Sequence, residues 1–159
     1  MLRRRRFFAG DAMHGGQSPL GDIVWLKPDG TEMSDADWQT GYSQSLMVFL
    51  NGDAIPEPDT LGRRISDDHF LLMFNASDDP IAFTTPAKAY GESWTVRLDT
   101  ADGEVDPDVK PWRSRTRHKV PGRSMAVLST SVVPDSVRQE AERRADAVRP
   151  TYAKVSGQA

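Results

Sequence analysis

The sequence has no cysteine and, in 159 residues, only three histidines. Without cysteine there is no disulfide, no thiolate metal site and no cysteine nucleophile. His14, His69 and His118 are far apart, and none lies in a zinc-type spacing. His69 opens an apolar stretch, which favours a packing role over a ligand role. We therefore expect no bound metal, and we expect the chain in a reducing compartment, the cytoplasm.

Long apolar runs and nucleotide or nucleophile motifs are missing as well. No apolar run approaches the roughly 18 residues that span a bilayer. The apolar stretch after MLRRRR is too short for a secretory leader. No GxGxxG, phosphate-binding loop or GxSxG stretch occurs. We expect neither a membrane partner nor a cofactor.

Charge is unevenly distributed along the chain, although the net charge is only −3. Residues 1–20 carry four Arg against one Asp, residues 21–112 carry six Lys and Arg against eighteen Asp and Glu, and residues 113–159 carry ten against four. An acidic middle repels phosphates, so a nucleic-acid partner is not expected.

What the sequence does contain is a series of short β-type stretches separated by Gly, Pro, Asn and Asp. They are residues 22–27, 45–52, 69–77, 81–86, 93–100 and 124–133. This spacing predicts an all-β fold, an antiparallel β-sandwich. SLMVFLN and HFLLMFN are almost continuously apolar and end at Asn51 and Asn75. Continuous runs indicate strands covered on both faces, so the sheet should pack against more than its own partner sheet.

Local patterns add detail to this prediction. Pro28-Asp29-Gly30 predicts a tight turn. Ser34 with a carboxylate three positions on predicts the N-cap of one helical turn, which holds Trp38. Around Asp78-Asp79-Pro80, residues 75–83 predict a hairpin connection.

Two further segments have a clear pattern. Alternation in SWTVRLDT places Trp94, Val96 and Leu98 on one face of a strand. After Pro134 the pattern predicts a C-terminal helix, followed by a flexible tail that ends the chain.

Aromatic side chains are the remaining candidates for a site. Trp25, Trp38 and Trp112 could stack on the apolar faces of a sugar ring. The alternative is that Trp25 and Trp38 pack on a neighbouring domain. The residues alone leave both interpretations open, and no carboxylate pair among the twenty-three acidic residues can be assigned to catalysis.

The order of these stretches resembles a known family. RRRRFFAG, DIVWLKPDGTEMSDADW, SLMVFLNGDAI, DDHFLLMFNASDDPIAFTTP, SWTVRLDT and GRSMAVL, over roughly residues 3–130, are similar to the C-terminal part of bacterial glycogen debranching enzymes. These enzymes are isoamylase-like members of glycoside hydrolase family 13. The W-x-x-P-x-G-x-x-M stretch and FLLMFNA carry the most specific part of the resemblance.

The resemblance implies a non-catalytic domain. In that family a (β/α)₈ barrel carries an Asp nucleophile, a Glu acid/base and a second Asp, which hydrolyse α-1,6 branch linkages with retention. No stretch here matches those motifs, so no catalytic residue is assigned and the chain alone should be inactive. The catalytic barrel is the expected partner, with glycogen or another α-glucan as a further one.

The resemblance also implies a division of the chain. Residues 1–40 correspond to the end of the barrel and a crossing segment, residues 41–133 to the C-terminal β-sandwich, and residues 134–159 to the helix and tail. Met1 then falls inside what resembles a barrel helix, so we expect a piece of a longer protein. Two alternatives remain: a stand-alone carbohydrate-binding module, and an assembly domain that associates through an apolar sheet face.

Overall fold

The computed structural model describes residues 20–40, 44–55, 58–63, 65–103, 105 and 108–132. The elements are β1 (Ile23–Leu26), α1 (Asp35–Trp38), β2 (Ser45–Leu50), β3 (His69–Asn75), β4 (Ile81–Thr84), β5 (Ser93–Asp99), β6 (Trp112–Arg113), β7 (Arg117–Val120) and β8 (Ser124–Thr130). All six predicted strands are present. The barrel-like RRRRFF stretch and the predicted C-terminal helix lie outside the described residues. Within the described part, no helix is long and apolar enough to cross a membrane.

The strands form two antiparallel sheets, which confirms the predicted all-β sandwich. The large sheet has six strands in the order β1-β2-β3-β8-β5-β6, and the small sheet pairs β4 with β7. The segment expected to cross from a barrel thus contributes β1 to the large sheet. The division into 1–40, 41–133 and 134–159 stays a prediction.

The hydrophobic core lies between the two sheets. The large sheet contributes side chains that alternate along each strand, such as Met47 and Phe49 on β2, and the small sheet contributes Phe83 and Val120. Trp94 is fully buried there, as its alternating pattern predicts. We call this side of the large sheet the core face.

The opposite side of the large sheet, here called the outer face, is also apolar. One row runs across five strands in register: Trp25, Val48, Leu72, Val127 and Leu98. Val48 and Val127 are buried, whereas Trp25 and Leu98 at the two ends of the row are 42% and 38% exposed. The apolar runs of β2, β3 and β8 therefore serve both faces of one sheet, as their continuity predicts.

Two buried asparagines hold the ends of these strands. The Nδ2 group of Asn75 donates to the carbonyl oxygens of Asp79, Val120 and Pro121 at 2.9–3.0 Å. Asn51 holds the entry to β1 in the same way, because its Nδ2 donates to the carbonyl oxygens of residues 20 and 21. The asparagine that closes each apolar run is thus a bridge between distant segments.

Two local predictions are wrong. Residues 75–83 do not form a hairpin, because β3 pairs with β2 and β8 and so has no free edge for β4. The chain instead crosses at residues 76–80 to the small sheet, where β4 pairs with β7. Leu98 does not share a face with Trp94, because a bulge at Arg97 shifts the register after Val96.

Candidate functional site

Trp25 and Trp38 form an aromatic pair at the β1 edge of the outer face. Their ring centroids are 5.3 Å apart and the rings meet edge to face at 78°. Trp38 is 49% exposed, so this pair is an apolar surface feature rather than part of the core. The structure brings together two of the three tryptophans that the sequence singles out.

A tight turn and a helix cap bring Trp25 and Trp38 together. The backbone reverses through the Pro28–Gly30 turn, with Gly30 at φ 85°, and Met33 N then donates to the Trp25 carbonyl. The predicted N-cap is confirmed: Ser34 and Asp37 form a reciprocal capping box that starts α1. Both the hydroxyl and the backbone N–H of Ser34 lower the pKa of Asp37.

Trp112 lies elsewhere. It is in β6, at the opposite edge of the large sheet from Trp25. Five inter-strand spacings separate β1 from β6, about 24 Å, so the three tryptophans do not form one stacking platform. One face of the Trp112 indole is covered by His118, whose ring is parallel at 3.7 Å. The other side packs against the core.

His118 is a half-buried structural group. Its pKa is lowered by burial, which favours the neutral ring. Its Nε2 is 2.7 Å from the hydroxyl of Thr116, and that hydroxyl donates its proton to the Arg113 carbonyl. Nε2 must therefore be the donor to Thr116, which assigns the tautomer. His69 likewise has a packing role, since its Nδ1 accepts from the backbone N–H of Gly52.

The described carboxyl groups with a shifted pKa do not suit general-acid catalysis. A general acid needs a carboxyl group whose pKa is raised. The described carboxyl groups whose pKa is shifted, Asp29, Asp37, Asp59 and Glu92, are all shifted downward by hydrogen bonds or cations. Nor do three metal-ligating side chains converge anywhere in this part of the chain.

A cleft that the sequence did not indicate opens at the end of the sandwich where β3 and β5 begin. It has a volume of about 490 Å³, and its lining includes His69, Tyr90, Glu92, Arg113 and Thr130. No local motif marks this cleft, because its walls come from four separate parts of the chain. The sequence pattern that could have indicated a binding site here is the alternation of cations in RSRTRHK, beside the cleft.

Tyr90 anchors the floor of this cleft. Its hydroxyl donates to the carboxylate of Glu32, which follows the turn after β1. Burial, and then the Glu32 carboxylate, raise the pKa of Tyr90 well above its ordinary value. The phenol therefore serves as a fixed hydrogen-bond donor that ties the β1 edge to the segment before β5.

Comparison with known proteins places the chain in a family. The family model described as isoamylase, C-terminal, matches residues 22–129. Proteins named glycogen operon protein GlgX homolog from Mycobacterium bovis and Mycobacterium tuberculosis are 44% identical to it over 128 residues. The match covers 80% of this chain but only 18% of each relative. The chain therefore belongs to the isoamylase C-terminal domain family.

Proposed function

We propose that the chain provides the non-catalytic C-terminal domain of a glycogen debranching enzyme that hydrolyses α-1,6 branch linkages in the cytoplasm. The family match over residues 22–129 supports the domain assignment. The relatives' name, glycogen operon protein, supports glycogen as the substrate of the whole enzyme.

The observation that carries this proposal is the apolar outer face. A sandwich needs only one apolar face on each sheet. Here the large sheet has two, and the row from Trp25 to Leu98 crosses the face that the small sheet does not cover. The relatives are more than five times as long as the matched segment. The occupant we assign to this face is the catalytic barrel.

The tryptophan pair fits this arrangement. Trp25 and Trp38 continue the outer face at its β1 edge, and Lys27 pairs with Asp37 at 3.7 Å beside them. In the assembled enzyme the two rings would pack against the barrel. Their function is then to fix the orientation of the sandwich on the barrel, which stabilises the catalytic domain.

The test is a chimera in which residues 22–129 replace the matched segment of the Mycobacterium tuberculosis relative. We expect the chimera to release linear chains from glycogen and the 159-residue chain alone to release none. Leu98→Asp should destabilise the chimera by at least about 2 kcal/mol, because docking would bury an unpaired carboxylate. In the chain alone the same change should have little effect, since Leu98 is 38% exposed.

The matched control is Leu61→Asp, because Leu61 is 72% exposed on the loop between β2 and β3. It should leave both proteins unchanged. Equal melting temperatures for the Leu98→Asp and Leu61→Asp chimeras would contradict docking through the outer face. Debranching by the isolated chain would contradict the non-catalytic assignment.

Exposure of the tryptophan pair favours one second candidate, a glucan contact by Trp25 and Trp38. Nearly half of each side chain is exposed, and indole faces bind pyranose rings. Retardation of the chain in a glycogen-containing native gel, lost in Trp25→Ser and Trp38→Ser, would support this candidate. Trp112→Phe is the control, because Trp112 is half-buried under His118. Unretarded migration at high glycogen would refute it.

A further inference from the structure

A row of cations runs through β6, the turn after it and β7. Arg113, Arg115, Arg117 and Lys119 are all exposed, and we call them the basic ridge. From residue 109 to 132 the sequence has no acidic residue. The ion pairs found within the described residues do not include any of these four cations. This segment therefore carries four positive charges, and Glu92 is a nearby carboxylate of Arg113.

The ridge is rigid. His118 and Val120 point inward from β7, so Arg117 and Lys119 point away from the large sheet, about 6.8 Å apart. The turn that precedes β7 is held by buried Thr85, which exchanges backbone hydrogen bonds with Arg115 and Thr116.

Arg115 adds a second sign of constraint, because it adopts a left-handed backbone at φ 58°. A non-glycine residue pays a conformational cost there, and such residues cluster at functional sites. The Thr85 hydrogen bonds hold this conformation and fix the direction in which the Arg115 side chain leaves the turn.

The ridge leads into the cleft, and Arg113 belongs to both. The cleft wall also carries Ser93 and Thr130, whose hydroxyls suit a hydroxylated ligand. Glu92 pairs with Lys88 at 2.9 Å, and that lysine and then Arg113 lower the Glu92 pKa. Since Glu92 already has Lys88 as its partner, the Arg113 guanidinium retains its capacity for an external anion.

We propose that the cleft and the basic ridge bind a phosphate monoester carried by a sugar. The hydroxyl-bearing wall would take the sugar, and the guanidinium groups would take the phosphate. Arginine favours phosphate because its planar fork donates two hydrogen bonds to one group. The volume of about 490 Å³ is that of a small-ligand site. The role in glycogen handling rests on the proposed function, but the binding itself does not.

A neutral glucan and a nucleic acid fit the surface less well. A neutral polysaccharide carries no negative charge for the four cations to bind. A nucleic acid longer than the ridge would meet the acidic residues that dominate positions 21–112. A sugar phosphate carries a charge for the cations to bind and is short enough to avoid the acidic residues. The ester has two sources, a soluble hexose phosphate and a phosphorylated α-glucan chain.

The experiment is isothermal titration of the 159-residue chain at low salt with glucose 6-phosphate, glucose, inorganic phosphate, and phosphorylated and dephosphorylated maltodextrin. We expect glucose 6-phosphate to bind at least about threefold more tightly than inorganic phosphate and glucose to give no signal. Binding should weaken as salt increases. The maltodextrin pair decides the source: preference for the phosphorylated form assigns the glucan, and its absence assigns the soluble sugar phosphate.

Arg113→Gln and Arg115→Gln should each weaken glucose 6-phosphate binding about fivefold or more, because each removes a charge-assisted contact. Arg123→Gln is the matched control, since Arg123 is also exposed but pairs with Asp78 outside the ridge. Circular dichroism spectra of all variants check that they fold.

Equal binding of glucose 6-phosphate and inorganic phosphate would overturn the sugar-phosphate assignment. So would glucose binding that is insensitive to Arg113→Gln. Neither result bears on the debranching proposal, because no hydrolysis is measured. Conversely, a failed chimera would leave this titration intact.

Discussion

Asn75 offers the sharpest test of what holds the two sheets together. Its side chain is only 2% exposed, and its Nδ2 donates to three carbonyl oxygens of the 76–80 crossing and of the turn between β7 and β8. Its Oδ1 accepts from the backbone N–H and the hydroxyl of Ser77 at 3.1 and 2.7 Å. One amide thus joins β3, the crossing segment and the end of β7.

Asn75→Ala should destabilise the domain by about 3 kcal/mol. The amide has two protons, so it makes two full donor bonds and two acceptor bonds, each worth about 1 kcal/mol net. Water that enters the space left by the side chain would offset part of this loss of stability. Carbonyl groups left without a hydrogen-bond donor would increase the loss. Since single domains have a total stability of about 5–15 kcal/mol, a change of this size is easily measured.

Asn75→Asp separates hydrogen bonding from packing. The carboxylate has the shape of the amide but no donor, so it would face the carbonyl oxygens of Val120 and Pro121. Burial there raises the pKa of the introduced carboxyl above its unfolded value of about 3.9. The native state then binds more protons, so the stability of the variant relative to the unsubstituted protein should fall as the pH rises from about 4 to 7.

The assay is urea unfolding at 25 °C, at pH 4 and pH 7, with Gln39→Ala as an exposed amide control that should change stability by less than about 0.5 kcal/mol. A loss below about 1 kcal/mol in Asn75→Ala would refute the bridging role. The pH logic would be refuted if the difference in stability between the Asn75→Asp variant and the unsubstituted protein shrank from pH 4 to 7.

The remaining predictions concern the residues of the cleft and the half-buried His118. Gly91→Ala should cost about 1–3 kcal/mol in urea unfolding, since the added Cβ would lie 2.7 Å from the Thr130 methyl. Tyr90→Phe should cost about 1 kcal/mol by losing the bond to Glu32, and ultraviolet titration should show Tyr90 still un-ionised at pH 11. Burial lowers the pKa of His118, so this residue contributes stability above the unfolded pKa of 6.5, and that stability is lost as the pH falls below 6.5. Thermal melts should therefore give a lower melting temperature at pH 5 than at pH 8. His118→Gln should make this difference smaller.

Five strands of the large sheet were predictable because the patterns that indicate them lie within short stretches of sequence. Continuous apolar runs and the capping box at Ser34 are sequence patterns, and the structure has strands and a helix there. β6 and β7 were missed because WR and RHKV contain too few apolar residues to signal a strand. The β7 pattern is still alternating, since only His118 and Val120 face inward.

What the sequence could not show depends on long-range pairing. Occupied edges of β3 exclude the predicted hairpin, and one extra residue at Arg97 moves Leu98 to the other face. The Trp25–Trp38 contact follows from a turn and a cap that are visible locally. The separation of Trp112 follows from strand order, which no local pattern contains.

The position of β8 has a consequence for how this domain is made. β8 is the last of the described strands in the chain, yet it lies between β3 and β5 in the large sheet. Until residue 130 is available, β3 and β5 have no common neighbour, and the sheet is two unconnected halves with apolar faces. Folding dominated by such distant pairings is slow, and the waiting strand edges are prone to aggregate. During synthesis the domain should therefore remain unfolded through most of its length and then form cooperatively when its central strand emerges.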